Sequence, residues 1–300
     1  MYARLKTGAG LRRALAMLAA IPFASMAPAA DTPQTVGIAA AVVRDVKIGS
    51  GASPRLHSIA LRERVALADR IETGQRSQLQ ILLLDRSTFS IGANARLTID
   101  RFVYDPDRNR DLGVSIARGA FRYMSGRPSA RHNATIDLPV GSIGIRGTIV
   151  DGVVGGDAQK LAMAEPAVRL AMTQRGQRRG SLGDPQVTSL IVLRGPGLQT
   201  EAGLTPGLAS VRTGDQDYVL ERPAQALYLP GGEAAPVGPF TMSQQGLQGL
   251  DDLIQPALAQ WRKSASSHGG LGILGGILSV MPAIIDSHEG STREDEKTHN

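Results

Sequence analysis

The sequence predicts an all-β protein: an antiparallel sandwich or solenoid-like sheet of short strands, with a short helical insert and a C-terminal helix. Three observations carry this. Apolar and polar residues alternate over many short runs, and Gly, Pro, Asn and Asp break those runs at nearly regular spacing. Aromatic residues make up only 4% of the chain while glycine numbers 35, so a core of Val, Ile, Leu and Ala with many turns is expected. Strands of this length without intervening long helices argue against α/β layers.

The first element is not part of the fold. Arg4, Lys6, Arg12 and Arg13 form a positive segment, Ala14 to Ala27 is apolar, and Ala27-Pro28-Ala29 fits a small-residue cleavage site before Asp31. Residues 1–29 are therefore read as a signal peptide, since about 20 apolar residues would be needed to span a bilayer. Arg12-Arg13 leaves the twin-arginine route open beside the general one. The formal charge of +6 is misleading, because removing those four basic residues leaves 29 positive against 27 negative, or +2. That balance gives no footprint for nucleic acid. The chain has no cysteine, so disulfides, thiol nucleophiles and thiol metal sites are excluded.

Residues 30–155 read as the main β domain. Leu79, Ile81 and Leu83 point inward with Gln78 and Gln80 outward, and Asp85-Arg86-Ser87 turns the chain. Phe89 and Ile91 resume the alternation as far as Gly92-Ala93-Asn94. Leu97 with Ile99, and then Phe102 with Tyr104, follow before the Asp105-Pro106 break. Val114 and Ile116 begin another run, with Gly119 as a bulge before Phe121 and Tyr123, and Ile136, Leu138, Ile143 and Ile145 complete it. Residues 156–185 hold the helical insert and a basic loop. Asp157 is the expected cap, Leu161, Ala164, Val168 and Met172 the buried face, and Pro166 an interruption or kink. Arg175, Arg178 and Arg179 are read as a solvated loop, with an acidic envelope partner as the sharper alternative.

Residues 186–240 are read as closing strands (Ser189 to Leu193, Ala209 to Val211, Tyr218 to Leu220, Ala226 to Leu229) and a linker from Pro230 to Pro239. Ile71-Glu72-Thr73-Gly74 and Val211-Arg212-Thr213-Gly214 echo each other, which suggests two turns of one shape but not a repeat. Residues 241–263 form a short helix capped by Ser243, with the stripe Leu247, Leu250, Leu253 and Ile254 on the parent sheet and Gly246 and Gly249 as weak points. Residues 264–300 are read as a flexible tail with an apolar, glycine-rich stretch from Gly269 to Ile285.

The search for chemistry singles out no catalytic, cofactor-binding or metal-ligating residue. The five histidines show no metal spacing, and Gly141, Gly144 and Gly147 precede strand residues, not a helix that would cradle phosphate, so they are read as tight sheet turns. Asp105, Asp107, Asn109 and Asp111 begin like a calcium loop. Arg110 and Ile116 then stand where that loop needs Gly and Glu, so the segment is read as a solvated hairpin loop. Arg146, between two glycines on an apolar strand, is the first candidate for partner contact; the plainer reading ties its guanidinium to neighbouring carbonyls.

One stretch is not generic. Asp69-Arg70-Ile71-Glu72-Thr73-Gly74, then Gln78 to Asp85, Ile91-Gly92-Ala93-Asn94-Ala95 and Ile99 to Pro106 closely resemble the FecR domain family. Arg118 to Tyr123 with Ser125-Gly126, and Leu138 to Thr148, continue the resemblance in the right order, over about Val36 to Val154. The resemblance implies an all-β periplasmic domain without catalytic activity or cofactor. In the regulators that name the family, it relays a signal from an outer-membrane iron-siderophore receptor to a cytoplasmic sigma factor. Only thirteen residues without Trp precede the apolar stretch here, so direct sigma-factor control is not expected, and no peptidoglycan-binding LysM repeat is visible. Arg86 stands where the family turn reads Asp-Gly, and a change of turn type is expected because a non-Gly residue at positive φ is unfavourable.

The function expected is a non-catalytic binding, signalling or scaffold module of the bacterial envelope, partnered by an envelope protein or cell-wall component. Nucleic acid is not an expected partner, nor is a membrane span in the mature chain. A secreted adhesin or surface-matrix protein, and a periplasmic hydrolase with two convergent carboxylates in a deep pocket, are the alternatives.

Overall fold

The computed structural model describes residues 33–260 except 52, 54, 106–109, 127–131, 175–183, 198–206 and 233. The segment read as a signal peptide, the arginines at 175, 178 and 179, and residues 264–300 lie outside the described residues. No helix among the described residues is long and apolar enough to cross a membrane.

Strand pairing resolves the chain into two sheets that share one strand. The first runs, in spatial order, β4 (Arg64–Ala66), β1 (Thr35–Val43), β6 (Gln78–Leu83), β7 (Thr88–Ile91), the second half of β9 (Arg110–Met124), β12 (Ile149–Val154), β13 (Ser189–Gly195), β16 (Gln225–Leu229) and β17 (Val237–Thr241). Every pair in it is antiparallel. The second runs β3 (His57–Ser58), β2 (Val46–Ser50), β5 (Asp69–Thr73), β8 (Arg96–Tyr104), the first half of β9, β10 (His132–Leu138), β11 (Gly141–Arg146), β14 (Leu208–Thr213) and β15 (Gln216–Leu220). Its β9–β10 pair is parallel. The expected all-β sandwich is thus observed, and it advances like a solenoid because successive hairpins alternate between the sheets.

Period-two patterning explains which faces meet. Leu79, Ile81, Phe121, Ile136 and Ile143 pack between the sheets and are at most 1% exposed. Each such side chain contributes roughly 1.5–3 kcal/mol when fully removed from water. β13 is apolar at consecutive positions because both its faces are covered: Ile191 and Leu193 face the sandwich, while Leu190 and Val192 face the helices.

β9 runs through both sheets, and the bend lies at Gly119. Its φ is +96°, and a Cβ there would lie 2.2 Å from the Ala95 Cα. The extra residue that shifts register lies opposite the Arg96–Leu97 step, next to this bend. β8 is continuous where two pairs were expected. A second register shift between Ile99 and Arg101 moves the inward phase from Ile99 to Phe102.

Three helices cover part of the outer face of the first sheet. The insert is two helices, α1 (Gly156–Ala164) and α2 (Pro166–Gln174), so of the two readings at Pro166 the interruption is the one observed. Pro166 opens α2, where its missing N–H costs nothing. Gly155 occupies the cap position and Asp157 the first turn; Ala158, Ala162, Val168 and Met172 are buried, Leu161 is half-buried and Ala164 is exposed. α3 (Gln244–Ile254) begins at Ser243, whose Oγ accepts from the Gly246 N–H at 3.0 Å, as the sequence predicts. Its glycines are not weak points. A Cβ on Gly246 would lie 2.1 Å from Glu165 Oε1, and one on Gly249 2.7 Å from Leu161 Cδ2, so both permit close approach to the insert. β17 lies where the linker was expected.

Two turns differ from expectation. Arg86 adopts a left-handed backbone, φ +66°, so the turn keeps a positive φ without glycine. Asp85 compensates: its Oδ1 accepts from the Ser87 N–H (3.0 Å) and Oγ (2.6 Å), both buried. The two Thr-Gly tetrads also part company. After Gly74 the chain crosses to the other sheet, whereas after Gly214 it returns as the β14–β15 hairpin.

Gly119→Ala is expected to cost on the order of 3 kcal/mol, from the strained φ and the backbone contact at Ala95 together. Gly214→Asn, at φ +54° with no atom within 4 Å, is expected to cost under ~1 kcal/mol because Asn tolerates that region. Urea denaturation of the two variants checks the contrast, and equal losses would contradict it.

Candidate functional site

The outer face of the second sheet carries polar side chains and, among the described residues, no helix. Its middle is hollow because the outward residues there are small: Gly113, Thr135, Gly144 and Ser210. The register aligns Thr135 with Gly113 and Gly144, and Gly144 with Ser210, across four neighbouring strands. The hollow has a volume of about 560 Å³ and is lined by Arg101, Asp111, Asn133, Thr135, Arg146 and Ser210, among others. A Cβ on Gly144 would lie 2.8 Å from Ser210 Oγ, so glycine keeps this floor low. That spacing, not a turn, accounts for Gly144. Gly141 similarly lets Arg212 O approach, and only Gly147, at φ +62°, makes a turn.

Arg101 grips Asp111 with two bonds, Nε to Oδ2 at 2.7 Å and Nη2 to Oδ1 at 3.3 Å. Asp111, the last oxygen of the calcium-like spacing, is therefore engaged by a cation, and positions 107 and 109 lie outside the described residues. The Arg101–Asp111 pair leaves this wall near neutral. Arg146 then supplies positive charge at the rim: it is exposed, and among the described residues its guanidinium has no hydrogen bond or ion pair. The plainer reading, in which it ties neighbouring carbonyls, is thus corrected. A guanidinium with free donors beside hydroxyls and an amide can hold a carboxylate or another oxygen-rich group.

A second polar constellation was not foreseen. On the outer face of the first sheet, Arg122 donates to Asp151 from Nε (2.6 Å) and Nη2 (2.7 Å), and its Nη2 also reaches Asp251 Oδ1 at 2.6 Å. Arg194 Nη2 donates to Asp251 at 3.1 and 3.2 Å, and its Nε lies 3.4 Å from Asp151 Oδ2. Arg122 and Asp151 are direct cross-strand partners on β9 and β12, Arg194 is on the adjoining β13, and Asp251 descends from α3. Asp151 is fully buried. Burial pushes its carboxyl up, and Arg122 and then Arg194 pull it back, while its hydrogen bond holds the Arg122 guanidinium well above its ordinary value. Two forked charge-assisted bonds favour the ionised pair. The sequence held one signal: an Asp inside the apolar run Ile149 to Val154 must find a cation if buried. The partners lie too far along the chain for any motif to show them.

This cluster pins α3 to the sheet and does not resemble a hydrolytic pair. Both its carboxylates are consumed by arginines, and the hollow on the opposite side holds one carboxylate, Asp111, consumed likewise.

Residues 69–169 match the family described as FecR protein. The resemblance read from the sequence is thereby shown, although the match starts at Asp69, later than Val36, and extends through α1 into α2. No curated protein matches the chain. Two solved structures of a "putative anti-sigma factor" from Parabacteroides distasonis are similar at 8% identity, with TM-scores of 0.36 and 0.35. Each alignment covers 56% of this chain and 57% of the other, so the chain spans little more than half the length of those structures.

Asp151→Ala should cost about 3–5 kcal/mol in urea denaturation, because it strands two guanidinium groups at a covered site. The double variant Arg122→Met with Asp151→Leu is expected to recover much of that loss. A loss under ~1 kcal/mol for Asp151→Ala would reduce the cluster to a surface ion pair.

Proposed function

We propose, taking the FecR domain of residues 69–169 as premise, that this chain is an exported, non-catalytic module that takes part in signalling at the bacterial envelope. Its recognition face is the outer side of the second sheet. The observation that carries this reading is the hollow there, with a small-residue floor, a hydroxyl- and amide-bearing wall, and the unengaged Arg146 at its rim. Antiparallel sheets commonly leave one face to solvent. A solvent face that is also hollowed by glycine and serine is shaped for contact with another molecule, and its polar lining fits a polar partner. Residues 1–29 supply the export step as a cleaved signal peptide, which places the mature module in the periplasm with an envelope protein or cell-wall component as its partner. In the hollow and in the buried cluster, Asp111, Asp151 and Asp251 are each held by arginine, which supports a binding role over hydrolysis at these two places.

The test is cross-linking of the mature protein in intact cells, with captured molecules identified by mass spectrometry. Recovery of an outer-membrane receptor or an inner-membrane regulator supports the signalling module. Recovery only of the protein itself, or of surface material, contradicts it. Arg146→Ala should leave stability within ~0.5 kcal/mol, as expected for an exposed side chain. The same change should lower the yield of the captured partner, and unchanged capture would move the contact away from this hollow.

A further inference from the structure

The helices cover only part of the first sheet. α1, α2 and α3 pack over Ala120, Val153, Leu190, Val192, Ala226 and Tyr228, on the β9–β16 side. On the β1–β6 side the outer face is not covered by these helices, and beyond Gln78 and Gln80 it carries a band of exposed apolar side chains. Ile38, Leu82 and Met124 are 37%, 43% and 42% exposed, and Leu84, two residues beyond Leu82 on the same face, is 48% exposed. These residues form one row: Ile38 pairs with Leu82, Leu82 with Thr88, Thr88 with Met124, and Met124 with Ile149. Five strands at ~4.8 Å spacing make the row about 19 Å long. Contiguous exposed apolar surface of this kind marks a contact site.

We infer that the apolar segment 269–285 of this same chain docks on that row. Three observations select this occupant. The described chain ends on the correct face: after α3 a further helical turn runs to Gln260, whose Oε1 accepts from Arg44 Nη2 at 3.0 Å, at the end of β1. The distance is right. Ile38 lies six residues from Arg44 along β1, about 20 Å at ~3.3 Å per residue, and the eight residues 261–268 can span up to ~28 Å. The chemistry is matched too, since residues 269–285 contain no charged side chain and are rich in Leu and Ile. Seventeen residues cover a 19 Å row even at the ~1.5 Å rise of a helix. Docking there would complete the cover of the outer face that the helices begin.

The absence of native cysteine makes the test clean. Leu82→Cys is combined in the full chain with Ile273→Cys, Ile277→Cys or Val280→Cys, and each pair is oxidised under mild conditions. The control replaces Leu82→Cys with Leu170→Cys, a 60% exposed position on α2. The expected result is an intramolecular disulfide with at least one tail position, in yield independent of protein dilution and well above the control. A tethered segment acts at an effective concentration near mM, ~1,000-fold above a µM solution. Equal yields at Leu82 and Leu170 would overturn the inference. So would dimers that fade on dilution, which would make a second copy the occupant. Cross-linking of neither position, with protease protection of the tail only on anionic vesicles, would overturn it in favour of a lipid surface.

Discussion

The structure depends on one strand changing sheets. β9 contributes its first half to the solvent-facing sheet, beside β8 and β10, and its second half to the helix-covered sheet, between β7 and β12. The transfer needs a backbone that bends at φ +96° while lying against Ala95, a combination open only to glycine. Everything of functional interest hangs from the two halves. Asp111 faces the hollow from the first, and Arg122 anchors the charge cluster from the second.

The two outer faces divide the labour. The solvent-facing sheet is lined with short polar side chains and guarded by arginines, most of them already paired: Arg96 with Glu72, Arg101 with Asp111, and Arg212 with Asp217. These exposed pairs add little to stability, but they keep the face nearly neutral around Arg146. On the other face, burial changes the stakes. Arg122, Asp151, Arg194 and Asp251 share their charges in a site closed to water at Asp151, where losing one partner leaves another uncompensated. The cluster therefore fixes where α3 lies. Gly246 and Gly249 allow α3 to approach the insert, and Glu165 caps its start by accepting from the Ser243 N–H and Oγ.

Much of the fold was legible because alternation encodes a half-buried strand directly. Leu79, Ile81 and Leu83 could face only one way, and Ser243 carried its own helix signal. The missed features depend on contacts between distant segments. β17 is short and carries Gly238 and Pro239, so local composition reads it as linker, and only pairing with β16 makes it a strand. Pro166 signalled the break between α1 and α2, but the burial of Glu165 beneath α3 has no sign in the periodicity of the insert. Gly246 and Gly249 look like defects until the insert is placed against them. The site followed the same rule. Arg146 drew attention as a lone charge on an apolar strand, but the hollow beside it comes from four strands brought into register. The motifs that resemble FecR gave no sign of either polar constellation.

The central claim is that β9 binds both sheets into one cooperative body, so the hollowed face and the helix layer stand or fall together. Native-state hydrogen exchange, followed amide by amide along β9 in increasing denaturant, tests this most directly. The account predicts that amides on both sides of Gly119 merge into a single unfolding free energy equal to that of the whole domain. Separate isotherms for residues 110–118 and 120–124, with one half opening while the other stays protected, would contradict it.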